Sequence, residues 1–174
     1  GRLSKRLEQV GIAFVTLPDG EVTTEALGAA KLVLLPYNPA VPEGLASALA
    51  SYVSGGGKLG LFFCSDARLL SLVGVRSASY RGGNSLPALE GVGFAPALVA
   101  NTPLTMRQRS WNVVVPALAA EDGATVAGSW TLAGGGGSAI AALTLHRCGF
   151  TFGHVYLDED AQAGGQWLLA LVEH

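Results

Sequence analysis

Charge is scarce in this chain of 174 residues: Asp, Glu, Lys and Arg make up 14% of it, with 11 basic and 13 acidic side chains and a formal net charge of −2. No basic block occurs, which argues against a nucleic-acid partner, because phosphate binding needs clustered Lys and Arg. Cysteine is scarce too. Cys64 and Cys148 alone cannot build a disulfide framework, and both lie in apolar stretches that suit buried free thiols. The three histidines, His146, His154 and His174, share no metal-ligand spacing with them, so neither a metal nor another cofactor is expected. Long apolar runs are missing: none reaches the roughly 18–20 residues that cross a bilayer, and no membrane span is expected. No signal peptide is legible, and Gly1-Arg2 in place of an initiator Met is what a processed or shortened chain would show.

What the chain has in quantity is apolar surface, 49% of its residues. A chain of this length fits one domain and buries roughly 70% of its unfolded surface without a staple. So much apolar surface calls for a sheet covered on both faces, or for a docking face.

The first 75 residues alternate helix and strand. Leu3, Leu7 and Val10 mark the end of an amphipathic helix stopped by Gly11, and Ile12-Ala13-Phe14-Val15 reads as a short strand. Thr23 or Thr24 caps a short helix to Leu27. Residues 31–35 form an apolar run closed by Pro36, as in a strand buried on both faces. A helix spans residues 42–54, with Leu45, Leu49, Tyr52 and Val53 as its stripe and Gly55-Gly56-Gly57 as its stop. Residues 59–63 give the next strand and 66–72 the next helix. This order predicts parallel strands joined by right-handed crossovers. The second half reads as strands at 112–115, 125–132, 139–145 and 150–157, a glycine hairpin tip at 134–137, and a helix over 160–172. Its core face is predicted at Ala163, Trp167, Leu168, Ala170 and Leu171. Residues 76–111 mix Gly, Pro, Ser and Asn with scattered apolars and are expected to form a long ordered loop over the sheet edge.

One stretch carries chemistry. In Leu61-Phe62-Phe63-Cys64-Ser65-Asp66-Ala67-Arg68-Leu69-Leu70 an apolar run stops at a thiol and a helix follows at once, as at a strand-to-helix turn that presents a nucleophile. Residues 63–70 resemble the nucleophile turn of the class I glutamine amidotransferase-like superfamily (apolar-Cys-x-Gly-x-Gln-Leu-Leu). Residues 34–39, Leu-Leu-Pro-Tyr-Asn-Pro, lie where that family carries a Pro-Gly-Gly oxyanion loop. Residues 149–154, Gly-Phe-Thr-Phe-Gly-His, resemble the segment that delivers its histidine. The resemblance implies an α/β, flavodoxin-like three-layer fold: a mostly parallel sheet with helices on both faces and antiparallel strands added in the second half. It makes Cys64 and His154 the catalytic candidates. More narrowly, the chain is similar to non-catalytic amidotransferase-like modules of bacterial glycoside-hydrolase-like proteins. That implies other domains of the same polypeptide, or further copies of the chain, as partners, and a secreted or periplasmic setting.

The departures favour a vestige over an enzyme. Tyr156 stands where the family places the Glu that orients the histidine, with Asp158 farther on. Pro36 and Pro39, which have no N–H, flank Tyr37-Asn38 in the oxyanion loop, and Asp66 replaces the glycine after the nucleophile. Losing one oxyanion donor costs roughly 3–4 kcal/mol in comparable enzymes. The expected role is docking or ligand binding, with a cysteine-dependent hydrolase or amidotransferase as the alternative. Candidate binding residues for a carbohydrate or other small molecule are Tyr37, Asn38 and Ser65, at the carboxyl ends of the strands, and Arg109 with Trp111, beside Arg107. Asp158-Glu159-Asp160 reads as a helix cap with first-turn acids. A flavodoxin-like sheet has a central strand before its first helix; its absence from residues 1–174 leaves an edge expected to be completed by another copy or by a second-half strand.

Overall fold

A computed structural model describes residues 1–97 and 100–174. Leu3 and Leu7 bury one side of α1 (Arg2–Gln9). The hydroxyl of Thr23 accepts from the Ala26 N–H and caps α2 (Thr24–Leu27). β1 (Leu32–Leu35) and β2 (Lys58–Phe62) flank α3 (Glu43–Ser54), which buries Leu45, Ala46, Leu49 and Tyr52. Asp66 caps α4 (Ala67–Leu72) by accepting from the Arg68 N–H. Then come β3 (Ser77–Gly82), β4 (Leu89–Phe94), β5 (Thr105–Ser110), β6 (Asn112–Ala117), β7 (Thr125–Leu132), β8 (Gly137–His146), β9 (Gly149–Phe152) and α5 (Ala161–Glu173).

Seven strands form one sheet in the order β1-β2-β9-β8-β7-β4-β5, and β3 pairs with β6 in a separate ribbon. The β1–β2 and β2–β9 ladders are parallel; the ladders from β9 to β5 are antiparallel, so the sheet is mixed, with its parallel part confined to three strands. Alternation along those strands sorts their side chains between two cores. Leu32, Leu34, Phe62, Phe150 and Phe152 pack with Leu3, Leu7, Trp167 and Leu171 under α1 and α5. Val33, Leu35, Leu59 and Leu61 pack with Leu45, Leu49, Leu69 and Leu70 under α3 and α4. Helices therefore cover both faces of the parallel part.

Three expectations are corrected. Residues 76–111 are not a loop: they contain β3, β4 and β5, while residues 98–99 within that stretch lie outside the described residues. β3 and β4 carry Gly and Ser in place of the β-branched residues that mark strands, but the ladders to β6, β5 and β7 impose the extended form. Residues 12–15 join no strand. The expected strand over 150–157 ends at Phe152. Beyond it Gly153 still bonds Ala142 and Val114, and the chain then leaves the sheet.

The two sheet edges are treated differently. At β5, the Arg107 N–H donates to Asp160 at 3.2 Å, the Arg109 N–H donates to Glu159 at 3.0 Å, and the Gln108 side-chain carbonyl accepts from the Leu157 N–H at 3.2 Å. Carboxylates thus occupy the donors that an added strand would use. At β1, β2 is the one ladder partner among the described residues.

Candidate functional site

The carboxyl ends of β1, β2 and β9 converge where the sequence places its candidate residues. Phe63, directly after β2, has φ +50°, in the left-handed region that a bulky residue rarely enters. Such strain costs on the order of 1–3 kcal/mol and is typical of the residue a strand-to-helix turn presents. The presented side chain is therefore an aromatic ring. It stacks on Tyr37 (centroids 5.6 Å apart, planes at 23°) and meets Tyr80 edge-on at 6.4 Å and His154 edge-on at 5.8 Å.

Cys64, one residue on, turns into the core under α3 and α4. It borders a cavity of about 10 Å³ shared with Leu70, Val114 and Thr151. Burial pushes its thiol up to about 11, and the Asp66 charge adds to that in a minor way. Asp66 is committed elsewhere. It accepts from the Val41 N–H and from the Arg68 guanidinium, which holds its carboxyl down at about 2. Ser65 donates its hydroxyl to the Pro39 carbonyl at 2.9 Å and its N–H to the same oxygen at 3.2 Å, tying down the 36–40 loop that carries Tyr37 and Asn38.

His154 is buried, and both ring nitrogens are occupied. Nε2 lies 3.1 Å from Asn112 Oδ1. Nδ1 lies 3.0 Å from the Val155 carbonyl oxygen and 3.3 Å from Gln108 Nε2. Burial lowers its pKa, opposed by the Val155 carbonyl and by Glu159. The group that orients this histidine is an amide, not a carboxylate. Tyr156 instead stacks on Trp167 inside the α1–α5 core and donates to Asp158 at 2.9 Å. Asp158 in turn takes Arg6 of α1 at 2.7–2.8 Å.

The structure therefore brings Tyr37, Phe63, Tyr80, Asn112 and His154 together. It sets Arg107 and Arg109 apart, against Glu159 and Asp160. Trp111, between β5 and β6, is 74% exposed. Asp160 caps α5 by accepting from the Ala163 N–H. Phe63, Tyr80, Gln108 and Asn112 were missed from the sequence. Only Gln108 had a signal: Thr105–Ser110 alternates exposed and buried, which turns Gln108 inward between two outward arginines.

No protein-family model matches the chain, and no curated protein matches it in sequence. Solved structures do resemble it. A ThuA-like protein from Bacteroides uniformis superposes with a TM-score of 0.70 at 11% identity, over 98% of this chain and 81% of that one. A β-galactosidase from G. stearothermophilus gives 0.66 at 14% identity, over 99% of this chain and 25% of its own. Alpha-L-fucosidase isoenzyme 2 from Paenibacillus thiaminolyticus gives 0.65 at 11%, over 99% of this chain and 28% of its own. At these identities the likeness is one of fold, and the chain spans about a quarter of each glycosidase. What is shared with them is the α/β fold.

Proposed function

We propose that this chain is a non-catalytic amidotransferase-like module of a larger, carbohydrate-active bacterial protein, serving to dock beside the other domains of that polypeptide. One observation carries the reading: the strained turn presents the Phe63 ring to His154, while the thiol is buried and both imidazole nitrogens are engaged. A thiol enzyme needs a thiolate, a free base nitrogen and oxyanion donors at one point. Here the first two are spent on packing and positioning. The docking face is the aromatic group itself, since Tyr37 and Tyr80 are 58% and 64% exposed on either side of Phe63.

Two measurements test the proposal. Glutamine and activated-ester hydrolysis are expected to be no different in Cys64→Ser. A rise from 9.0 to about 11 also predicts that Cys64 alkylates about 100-fold more slowly at pH 7 than an ordinary thiol, with half-buried Cys148 reacting first. Turnover abolished by Cys64→Ser overturns the proposal and favours the hydrolase alternative.

The docking role is tested separately. Tyr37→Ala with Tyr80→Ala is expected to weaken association with the remaining domains at least ~10-fold, with the circular-dichroism melt unchanged. Loss of oligosaccharide binding with domain association intact would instead mark the face as a sugar site.

A further inference from the structure

We infer that the pocket between the β8–β9 turn and residues 121–123 binds a small zwitterion, a free amino acid being the simplest, with its carboxylate on Arg147 and His146 and its ammonium on Glu121 and Asp122. The pocket measures about 240 Å³, room for one small molecule, and is lined by Glu121, Asp122, Gly123, His146 and Arg147. It lies away from the aromatic face: His146 pairs with Gly149 at the start of β9, whereas His154 follows the end of that strand. The inference therefore stands apart from the docking role above.

One side of the pocket offers donors. The Cys148 N–H donates to His146 Nδ1 at 3.2 Å, so the neutral ring carries its proton on Nε2. Burial, and after it the Arg147 charge, lower the His146 pKa from 6.5, which keeps the ring neutral at pH 7. Two glycines bracket the Cδ2–Nε2 edge: a Cβ on Gly74 would lie 2.9 Å from Cδ2, and one on Gly123 3.7 Å from Nε2. The turn itself favours glycine at 123, where φ is +77°. Among the described residues Nε2 has no hydrogen-bond partner, and Arg147, exposed at the turn, has no ion pair. A guanidinium fork beside a ring N–H suits a carboxylate.

The other side offers acceptors. Arg76 serves two carboxylates: its Nε donates to Asp122 Oδ2 at 2.7 Å and its Nη2 to Glu121 Oε1. A single positive charge against two negative ones leaves a surplus of negative charge here. Asp122 Oδ1 and Glu121 Oε2 have no hydrogen-bond partner among the described residues. An ammonium matches the surplus and brings three donors. A simple anion would meet Arg147 but also these carboxylates, and a simple cation the reverse. Only a ligand with both charges answers both sides.

NMR titration at pH 7 and low ionic strength tests this with three probes: L-alanine, propionate and ethylamine, the last two each lacking one of the two charges. L-Alanine is expected to shift the His146 ring and the Gly123 amide saturably and to bind at least ~10-fold more tightly than either fragment, the factor that one lost charged contact costs. Tyr37 and Tyr80 are expected not to shift, which separates this site from the docking face. Arg147→Gln is expected to weaken L-alanine at least ~10-fold and leave ethylamine unchanged. Its melt is expected to match the parent's, since Arg147 is exposed. An L-alanine shift that never saturates overturns the inference. So does propionate or ethylamine binding as tightly as L-alanine, or an L-alanine affinity unchanged in Arg147→Gln.

Discussion

Gly149→Ala is expected to cost about 4 kcal/mol of unfolding free energy, at the upper end for a single methyl group. Gly149 opens β9 with φ +136°, and a Cβ there would lie 1.8 Å from the carbonyl oxygen of Leu59. That oxygen belongs to the β2 backbone opposite Gly149 in the parallel ladder, so no side-chain rotation relieves the overlap. β9 would have to leave β2, and with it would go the floor under Phe62 and Phe152. Gly134→Ala is the matched comparison. It also has positive φ, +88°, but nothing lies within 4 Å, so backbone strain of roughly 1–2 kcal/mol is all it should show. Urea unfolding of the two variants measures the difference. Equal losses would mean that Leu59 does not crowd residue 149.

Gln108→Leu is expected to cost about 3 kcal/mol, by stranding polar groups rather than by loss of volume. Gln108 is 1% exposed, donates to the Val155 carbonyl at 2.9 Å, accepts from the Leu157 N–H and lies 3.3 Å from His154 Nδ1. Leucine fills the space but leaves those groups buried without partners, at roughly 1–3 kcal/mol each before relaxation. The same network gives a pH signature. Burial holds His154 below its ordinary 6.5, so the unfolded chain binds the proton more readily than the folded one, and stability falls as pH drops below about 6.5. Asp66, held at about 2 against an ordinary 3.8, adds a second loss that begins near pH 4 and is complete below about 2. Gln108→Glu places a carboxylate against the imidazole, favours its charged form, and is expected to flatten the upper limb while leaving the lower one. Urea midpoints from pH 8 to pH 3 read both limbs; an upper limb unchanged in Gln108→Glu would place the titrating group elsewhere.

The parts legible in the sequence were those whose signals are local. Helical spacing, the Thr23 cap and the glycines at 55–57 mark α1, α2 and α3, and the apolar runs mark β1 and β2. β3 and β4 were not legible, because Ser77–Gly82 and the Gly91 and Gly93 region hold their extended form through neighbours distant in sequence. Ile12–Val15 shows the converse: strand-like residues form no ladder where no partner strand is at hand. The site divides in the same way. Cys64 and His154 stand out by residue type. But within Phe62-Phe63-Cys64 nothing local tells which residue bears the strained turn, and that single step decides whether a ring or a sulfur faces the histidine. Gln108 and Asn112, which occupy the histidine, come from 46 and 42 residues away in the chain.

The carboxylates along β5 have a further consequence. Fibrous growth requires two adhesive rims on every molecule, one to receive and one to offer. With Glu159 and Asp160 already holding the donors of Arg107 and Arg109, edge-to-edge stacking through the seven-stranded sheet terminates after a single joint, so crowding along that sheet would yield pairs rather than filaments.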